Sequence, residues 1–261
     1  MKYIGCFIVF IQSFFLSAAQ DTFQLAAPFI KHQSVFFKKE ASVEIIFAQQ
    51  GTSIHYTLNG AAPAETDAVY TRPLVIKKNF TTVKARVFGK GFLASETEQA
   101  IFIKEGIPVK SIEHPAPDAK YSGDGGQTLN DNKGGILSLQ SKTWLGFLMD
   151  TITFTIAVNK KQAVQSVLFQ LLQDYNSWIF FPDKAEVYCN MDGVMQKQGE
   201  MFFAKVENKD TKLVQPFVIP FGKTVRTDLV QLRIYTCSKI PDWHAGKGQK
   251  GWLFIDELKI Y

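Results

Sequence analysis

The residues of this 261-residue chain best suited to chemistry are three tryptophans set in loop-like sequence. Trp144 lies in Lys142-Thr143-Trp144-Leu145-Gly146-Phe147, Trp178 in Asn176-Ser177-Trp178-Ile179-Phe180-Phe181-Pro182, and Trp243 in Pro241-Asp242-Trp243-His244. Each stands beside glycine, proline or polar residues rather than in mid-strand. The C–H face of a sugar ring is apolar, while its rim hydroxyls need polar partners. An exposed aromatic plane with Asn176, Asp242 and His244 close by therefore has the makings of a glycan site. Tryptophans at the ends of β-sandwiches also plug cores, and the sequence leaves both roles open for each of the three. Trp252, within Gly251-Trp252-Leu253-Phe254-Ile255, is expected in the core.

Catalytic chemistry finds little to use. Asp256 and Glu257 are adjacent on a strand-like run, and side chains alternate across a strand, so the two are expected to face opposite ways. A glycosidase pair must flank one bond at a separation of about 5–9.5 Å. Asp242 and His244 share a loop, but no glycine-flanked serine elbow accompanies them, and neither Cys189 nor Cys237 has a suitably placed histidine. His244 is read as structural or ligand-contacting. Gly246-Lys247-Gly248-Gln249-Lys250-Gly251 lacks the strand and spacing of a phosphate loop. No catalytic residue is expected, and the chain is read as a non-enzyme. Leu129-Asn130-Asp131-Asn132-Lys133-Gly134-Gly135 is rich in oxygen donors. It suits either a hard cation, with the Asp131 carboxylate as ligand, or an ordinary glycine turn.

The elements that must position these residues read as strands. Val43 to Phe47, Ser53 to Leu58, Leu74 to Ile76 and Thr82 to Phe88 are short and β-branched, with turn chemistry at Asn59-Gly60, Lys78-Asn79 and Lys90-Gly91. Prolines at 108, 115 and 117 interrupt pairing. Further runs follow at Thr151 to Val158, Ala163 to Leu172, Ala185 to Cys189, Met201 to Val206, Leu213 to Ile219, Leu229 to Thr236 and Trp252 to Tyr261. Val164 to Leu172 also fits a helix, and its neighbours favour a strand. At the start, Lys2, the apolar run Ile4 to Leu16 and the small residues Ser17-Ala18-Ala19 form a signal-peptide pattern, too short for a membrane span. Residues 1–19 are thus expected to be a cleaved leader, 20–106 one β-sandwich and 107–261 a second. No later stretch could span a membrane. The net charge of +5 is scattered, which argues against nucleic acid. Cys189 and Cys237 remain in the mature chain, either paired or as two buried thiols.

Two resemblances sharpen this outline. Ile54-His55-Tyr56-Thr57-Leu58-Asn59-Gly60-Ala61-Ala62-Pro63, followed by Val69-Tyr70-Thr71-Arg72-Pro73-Leu74, resembles the chitobiase C-terminal module, a fibronectin/immunoglobulin-like sandwich. Asn59 stands where that module usually has aspartate. The second half resembles the galactose-binding-like jelly-roll sandwich of coagulation-factor type C (discoidin) domains and carbohydrate-binding module family 32. Its matching stretches are Gly125 to Asp131, Trp144-Leu145-Gly146-Phe147, Trp178 to Pro182, Val187 to Gly193, Pro241 to Gly248 and Trp252 to Glu257. The departures are Asn130-Asp131-Asn132 in place of an Asp-Gly, and Ala157-Val158-Asn159 in place of an Asp-Leu-Gly. Both parts occur at the C-terminus of bacterial family 20 β-hexosaminidases. The resemblance implies an all-β, non-catalytic protein of a bacterial periplasm or cell surface, secreted and binding galactose- or N-acetylhexosamine-containing glycans. It also implies a structural calcium held by Asp131 and Glu257. The alternative implied by the same relatives is a structural, cell-surface protein-interaction module without sugar binding.

Overall fold

The computed structural model describes residues 23–205 and 212–261; the expected leader lies outside them. The chain is all-β. Contacts divide it into two compact units. One holds the described residues up to His32 with Ser42–Leu74 and Thr82–Ala100, and the other holds Gln33–Ala41, Val75–Thr81 and Ile101–Tyr261.

The strands of the first half are β1 (Phe29–His32), β2 (Phe36–Phe37), β3 (Ala41–Ile46), β4 (Thr52–Thr57), β5 (Ala68–Val69), β6 (Leu74–Ile76), β7 (Phe80–Gly89) and β8 (Glu98–Lys104). They make a three-stranded sheet, β1-β3-β6, and a five-stranded sheet, β2-β8-β7-β4-β5. In β7 the side chains of Val83, Ala85 and Val87 are buried and their neighbours are not, the period of two that a half-buried strand requires. Gly60 and Gly91 close their turns with φ of 83° and 85°, as the sequence pattern anticipates.

The second half contains β9 (Ser111–Glu113), β10 (Leu145–Phe147), β11 (Thr151–Asp174), β12 (Lys184–Met191), β13 (Val194–Phe202), β14 (Lys212–Tyr235) and β15 (Leu253–Ile260). They form one sheet in the order β10-β15-β11-β14-β12-β13, with β9 also paired to β11. The strands expected at Thr151 to Val158 and Ala163 to Leu172 are one continuous strand, and so are those expected at Leu213 to Ile219 and Leu229 to Thr236. β11 and β14 pair along both halves, with register shifts between Ala157 and Gln162 and between Val164 and Ser166. Ile152, Phe154 and Ile156 from one half of β11 share a single core with Val167, Phe169 and Leu171 from the other. From Val167 to Asp174 every residue is buried, which explains why the helix and strand readings could not be told apart by alternation.

β13 departs from the sequence reading. It spans Val194–Phe202 and so begins seven residues before the expected run Met201 to Val206, whose last residue lies outside the described ones, because its largely polar sequence carries no apolar alternation. Its marker is the turn before it: Asp192 and Gly193 have φ of 53° and 89°, the two-residue hairpin geometry with both central residues left-handed. Cys189 and Cys237 are both free and buried in different clusters, the first in the main core and the second beside Tyr175, Phe180 and Ile240. Burial pushes the Cys189 thiol up to about 12 and raises that of Cys237. Among the described residues, no helix is long and apolar enough to cross a membrane.

One carboxylate organises the solvent face of β12, β13 and β14. Glu186 pairs with Lys184 at 2.6 Å and Lys197 at 3.4 Å, and it accepts hydrogen bonds from the hydroxyls of Tyr188 (2.9 Å) and Tyr235 (2.8 Å). Lys184 above all, with the two phenols, holds the carboxyl down at about 2 against the effect of burial. A depressed pKa contributes stability above the unfolded value of 4.5 that disappears as the pH falls toward about 2. Glu186→Gln is therefore expected to be less stable than the wild type at pH 7, with the gap closing between pH 5 and pH 2 in urea titrations.

Candidate functional site

The loop end of the second sandwich is built on a tight reversal. Asp174 and Ile179 exchange two backbone hydrogen bonds of 3.0 Å, so Tyr175, Asn176, Ser177 and Trp178 form a four-residue loop between them. Trp178 closes it with φ of 62°, a left-handed conformation that costs a bulky residue about 1 kcal/mol or more and must be held by its surroundings. Its N–H donates to the Tyr175 carbonyl, and its own carbonyl accepts from Trp252. The indole rests against Gly246, where an added Cβ would lie 3.1 Å from the ring atoms Cε2 and Cζ2. Asp174 is buried beneath the loop, accepting from Ser177 Oγ at 2.9 Å and pairing with Lys212.

His244 fastens the second loop to the first. The Gly246 N–H donates to His244 Nδ1 at 3.0 Å, which leaves Nε2 to donate to the Tyr175 carbonyl at 2.9 Å. Both ring nitrogens are thereby used, and the neutral tautomer is fixed. The imidazole meets Trp178, Phe180 and Trp243 edge-on, with centroids 6.1, 5.3 and 5.8 Å away. Trp243 packs in turn on Tyr175. Trp178 and Trp243 are partly exposed; Asn176 and Asp242 are exposed on the same two loops. Five of the six residues singled out from sequence thus gather at one end, with His244 serving as a fastener whose two nitrogens are already occupied.

Trp144 is the exception and corrects the sequence reading. It is fully buried among Leu172, Ile179 and Phe254, donates from Nε1 to the Ile136 carbonyl at 2.8 Å, and packs so closely on Gly135 that no Cβ could fit there. An indole enclosed on all sides offers no plane to a sugar. Trp252, half-buried against Tyr121 and Phe254, is the packing residue expected.

The second cluster lies where β15 meets the loop after a 3-10 helix at Gly125–Asn130. Carboxylate oxygens of Asp131, Asp256 and Glu257 lie within 4.8 Å of one another. The expectation that Asp256 and Glu257 face opposite ways is overturned by a β-bulge. Phe169 pairs with Leu258 and Gln170 with Asp256, leaving Glu257 as the extra residue, with φ of 39°. The bulge turns both carboxylates toward Asp131. Asp256 and Glu257 are essentially inaccessible to water, and Asp256 Oδ2, Glu257 Oε1 and Asn132 Oδ1 lack a hydrogen-bond partner. Lys259, also buried, pairs with Glu257 and donates to Asn130 Oδ1 at 2.8 Å. Burial, reinforced by the Glu257 charge, pushes the Asp256 carboxyl up to about 8; burial also raises that of Glu257, with Lys259 opposing. Against the three carboxylates stand the buried ammonium of Lys259, on Glu257, and the exposed one of Lys133, 3.4 Å from Asp131, so the cluster keeps one carboxyl group in excess and orphaned oxygens, a donor set that suits a hard divalent cation.

Residues 43–102 match the family model described as Fn3 associated. Among curated proteins, none matches the chain significantly. Solved structures similar to part of the chain include CpGH89CBM32-6 produced by Clostridium perfringens. It is 14% identical, with a TM-score of 0.34, over 58% of this chain and 91% of that one. Another is the family 32 carbohydrate-binding module from C. perfringens NanJ in complex with galactose, 13% identical, TM-score 0.36, over 57% and 91%. A third is a pectin-binding carbohydrate-binding module, 14% identical, TM-score 0.35, over 59% and 91%.

Trp144→Ala is expected to lower unfolding stability by about 3–5 kcal/mol, since it opens a cavity and orphans the Ile136 carbonyl. Equilibrium denaturation measures this, and a near-neutral result would contradict the assignment of Trp144 to the core.

Proposed function

We propose that the protein is a secreted, non-catalytic glycan-binding protein whose contact surface is the loop end of its second sandwich. One observation carries the reading. Trp178 is held in a strained left-handed conformation with its indole braced on Gly246 and still partly exposed, beside the exposed polar side chains of Asn176 and Asp242. Strain maintained at a solvent-facing aromatic is better explained by the ring's presentation than by packing. A pyranose laid on Trp178 would bury its C–H face, while Asn176 and Asp242 meet its hydroxyls and Trp243 walls the site. Galactose- and N-acetylhexosamine-containing glycans are the class proposed, and export through the leader at residues 1–19 is part of the reading. Support for the absence of catalysis comes from the grouped carboxylates, which are buried rather than flanking an open cleft.

A glycan array probed with the secreted protein is expected to give hits in this class. Trp178→Ala should weaken them about tenfold or more, as truncation of a central aromatic anchor does. An array silent for the wild type would overturn the reading in favour of a protein-interaction module. Turnover of an aryl N-acetylhexosaminide would overturn its non-catalytic part.

A calcium ion bound by Asp131, Asp256 and Glu257 belongs to the same proposal. It would satisfy the orphaned oxygens and tie the loop after the 3-10 helix to β15; its role would be to brace the sandwich. Calcium at a hundredfold above its Kd is expected to raise the melting midpoint by roughly 5–10 °C. Chelation should reverse the shift, and Asp256→Asn should abolish it. A midpoint indifferent to both calcium and chelator would count against the ion.

A further inference from the structure

The solvent face of β11, β14, β12 and β13 carries a second arrangement, separate from the loop end. The register aligns three rows across the four strands. Phe202, Lys184, Tyr235 and Thr151 form the first; Glu200, Glu186, Arg233 and Thr153 form the second; Lys197, Tyr188, Gln231 and Thr155 form the third. Between these rows the same strands send Ala185, Val187, Ile152, Phe154, Leu232 and Ile234 into the core, so the row residues point outward. At about 4.8 Å between strands the face is wide enough for a chain of sugar rings to lie across it.

Its charges are unevenly matched. Arg233 stands directly opposite Glu186 in the ladder, the position in which an ion pair is expected. Glu186 is already engaged by Lys184, Lys197 and the hydroxyls of Tyr188 and Tyr235, which account for about the four acceptor sites a carboxylate has. Glu200 is shared between Lys184 and Lys197. Arg233 is left with its guanidinium 5.0 Å from the Tyr188 ring centroid and, among the described residues, no carboxylate partner. Lys184 sits over the rings of Phe202 and Tyr235, and Phe202 is 70% exposed. Aromatic planes whose phenols are pinned from below, one unneutralised planar cation and rows of threonine and glutamine together make a surface for an acidic sugar. The guanidinium fork matches a carboxylate or sulfate bidentately.

We propose that this sheet face binds an acidic polysaccharide, with Arg233 taking the anionic group of one residue and Tyr188, Tyr235 and Phe202 bearing the rings. The proposal is independent of the loop-end reading. Affinity electrophoresis of the whole protein tests it in gels containing polygalacturonate, dextran sulfate or neutral galactan. Arg233→Gln and Trp178→Ala run alongside, and their melting midpoints confirm that they are folded. Retardation by an acidic polymer is expected, weakened about tenfold or more in Arg233→Gln and unchanged in Trp178→Ala. Whichever acidic polymer retards the protein identifies the anion as carboxylate or sulfate. Absence of retardation in both acidic gels would overturn the proposal, as would equal retardation of Arg233→Gln or displacement by single-stranded DNA. Loss of galactan retardation in Trp178→Ala alone would bear only on the loop end.

Discussion

β15 lies between β10 and β11, and all eight of its residues are buried. Three of those eight, Asp256, Glu257 and Lys259, are ionisable, and taking charges from water into such a position costs several kcal/mol each unless they are compensated. A regular strand would send the two carboxylates to opposite faces, one of them into the apolar core. The bulge at Glu257 avoids this by adding one residue to the ladder. It allows Leu253 and Ile255 before it, and Leu258 and Ile260 after it, to enter the same core. Core packing on one side and the carboxylate cluster on the other are therefore two results of a single backbone irregularity.

The loop end follows a related logic. A left-handed tryptophan is unfavourable in isolation, and it persists because several neighbours fix it at once. These are the paired hydrogen bonds between Asp174 and Ile179, the absent side chain at Gly246, and the two-sided hydrogen bonding of His244. The two loops are far apart in sequence, and the imidazole joins them through its hydrogen bond to the Tyr175 carbonyl.

Much of this was legible in the sequence. Short β-branched runs and Asn-Gly or Lys-Gly turns announce the first sandwich, since half-buried strands alternate. The gathering of Asn176, Trp178, Asp242, Trp243 and His244 also follows from where the turn-forming residues fall. Trp144 misleads because its sequence neighbours, glycine and polar residues, look the same whether the indole faces solvent or fills a core. The only distinguishing feature is the close approach of Gly135, nine positions earlier, and no local pattern encodes it. Asp256 was hidden by the unbroken apolar run before it, Trp252 to Ile255. The residues that enter the core change from odd positions, Leu253 and Ile255, to even ones, Leu258 and Ile260, which is the slip in phase of a bulge, although the apolar Trp252 and Phe254 mask it in the sequence. β13 was hidden by its polarity, although Asp192-Gly193 announces the hairpin that leads into it.

The two thiols carry a consequence of their own. Cys189 lies in the main core and Cys237 under the Tyr175 and Trp243 rings, each starved of water and each too weakly acidic to react while the fold is closed. Cysteines placed in this way are protected from mispairing once the chain is folded. The same placement provides two built-in clocks. Modification of Cys237 by a thiol reagent times the breathing of the loop end, and modification of Cys189 times the opening of the whole sandwich.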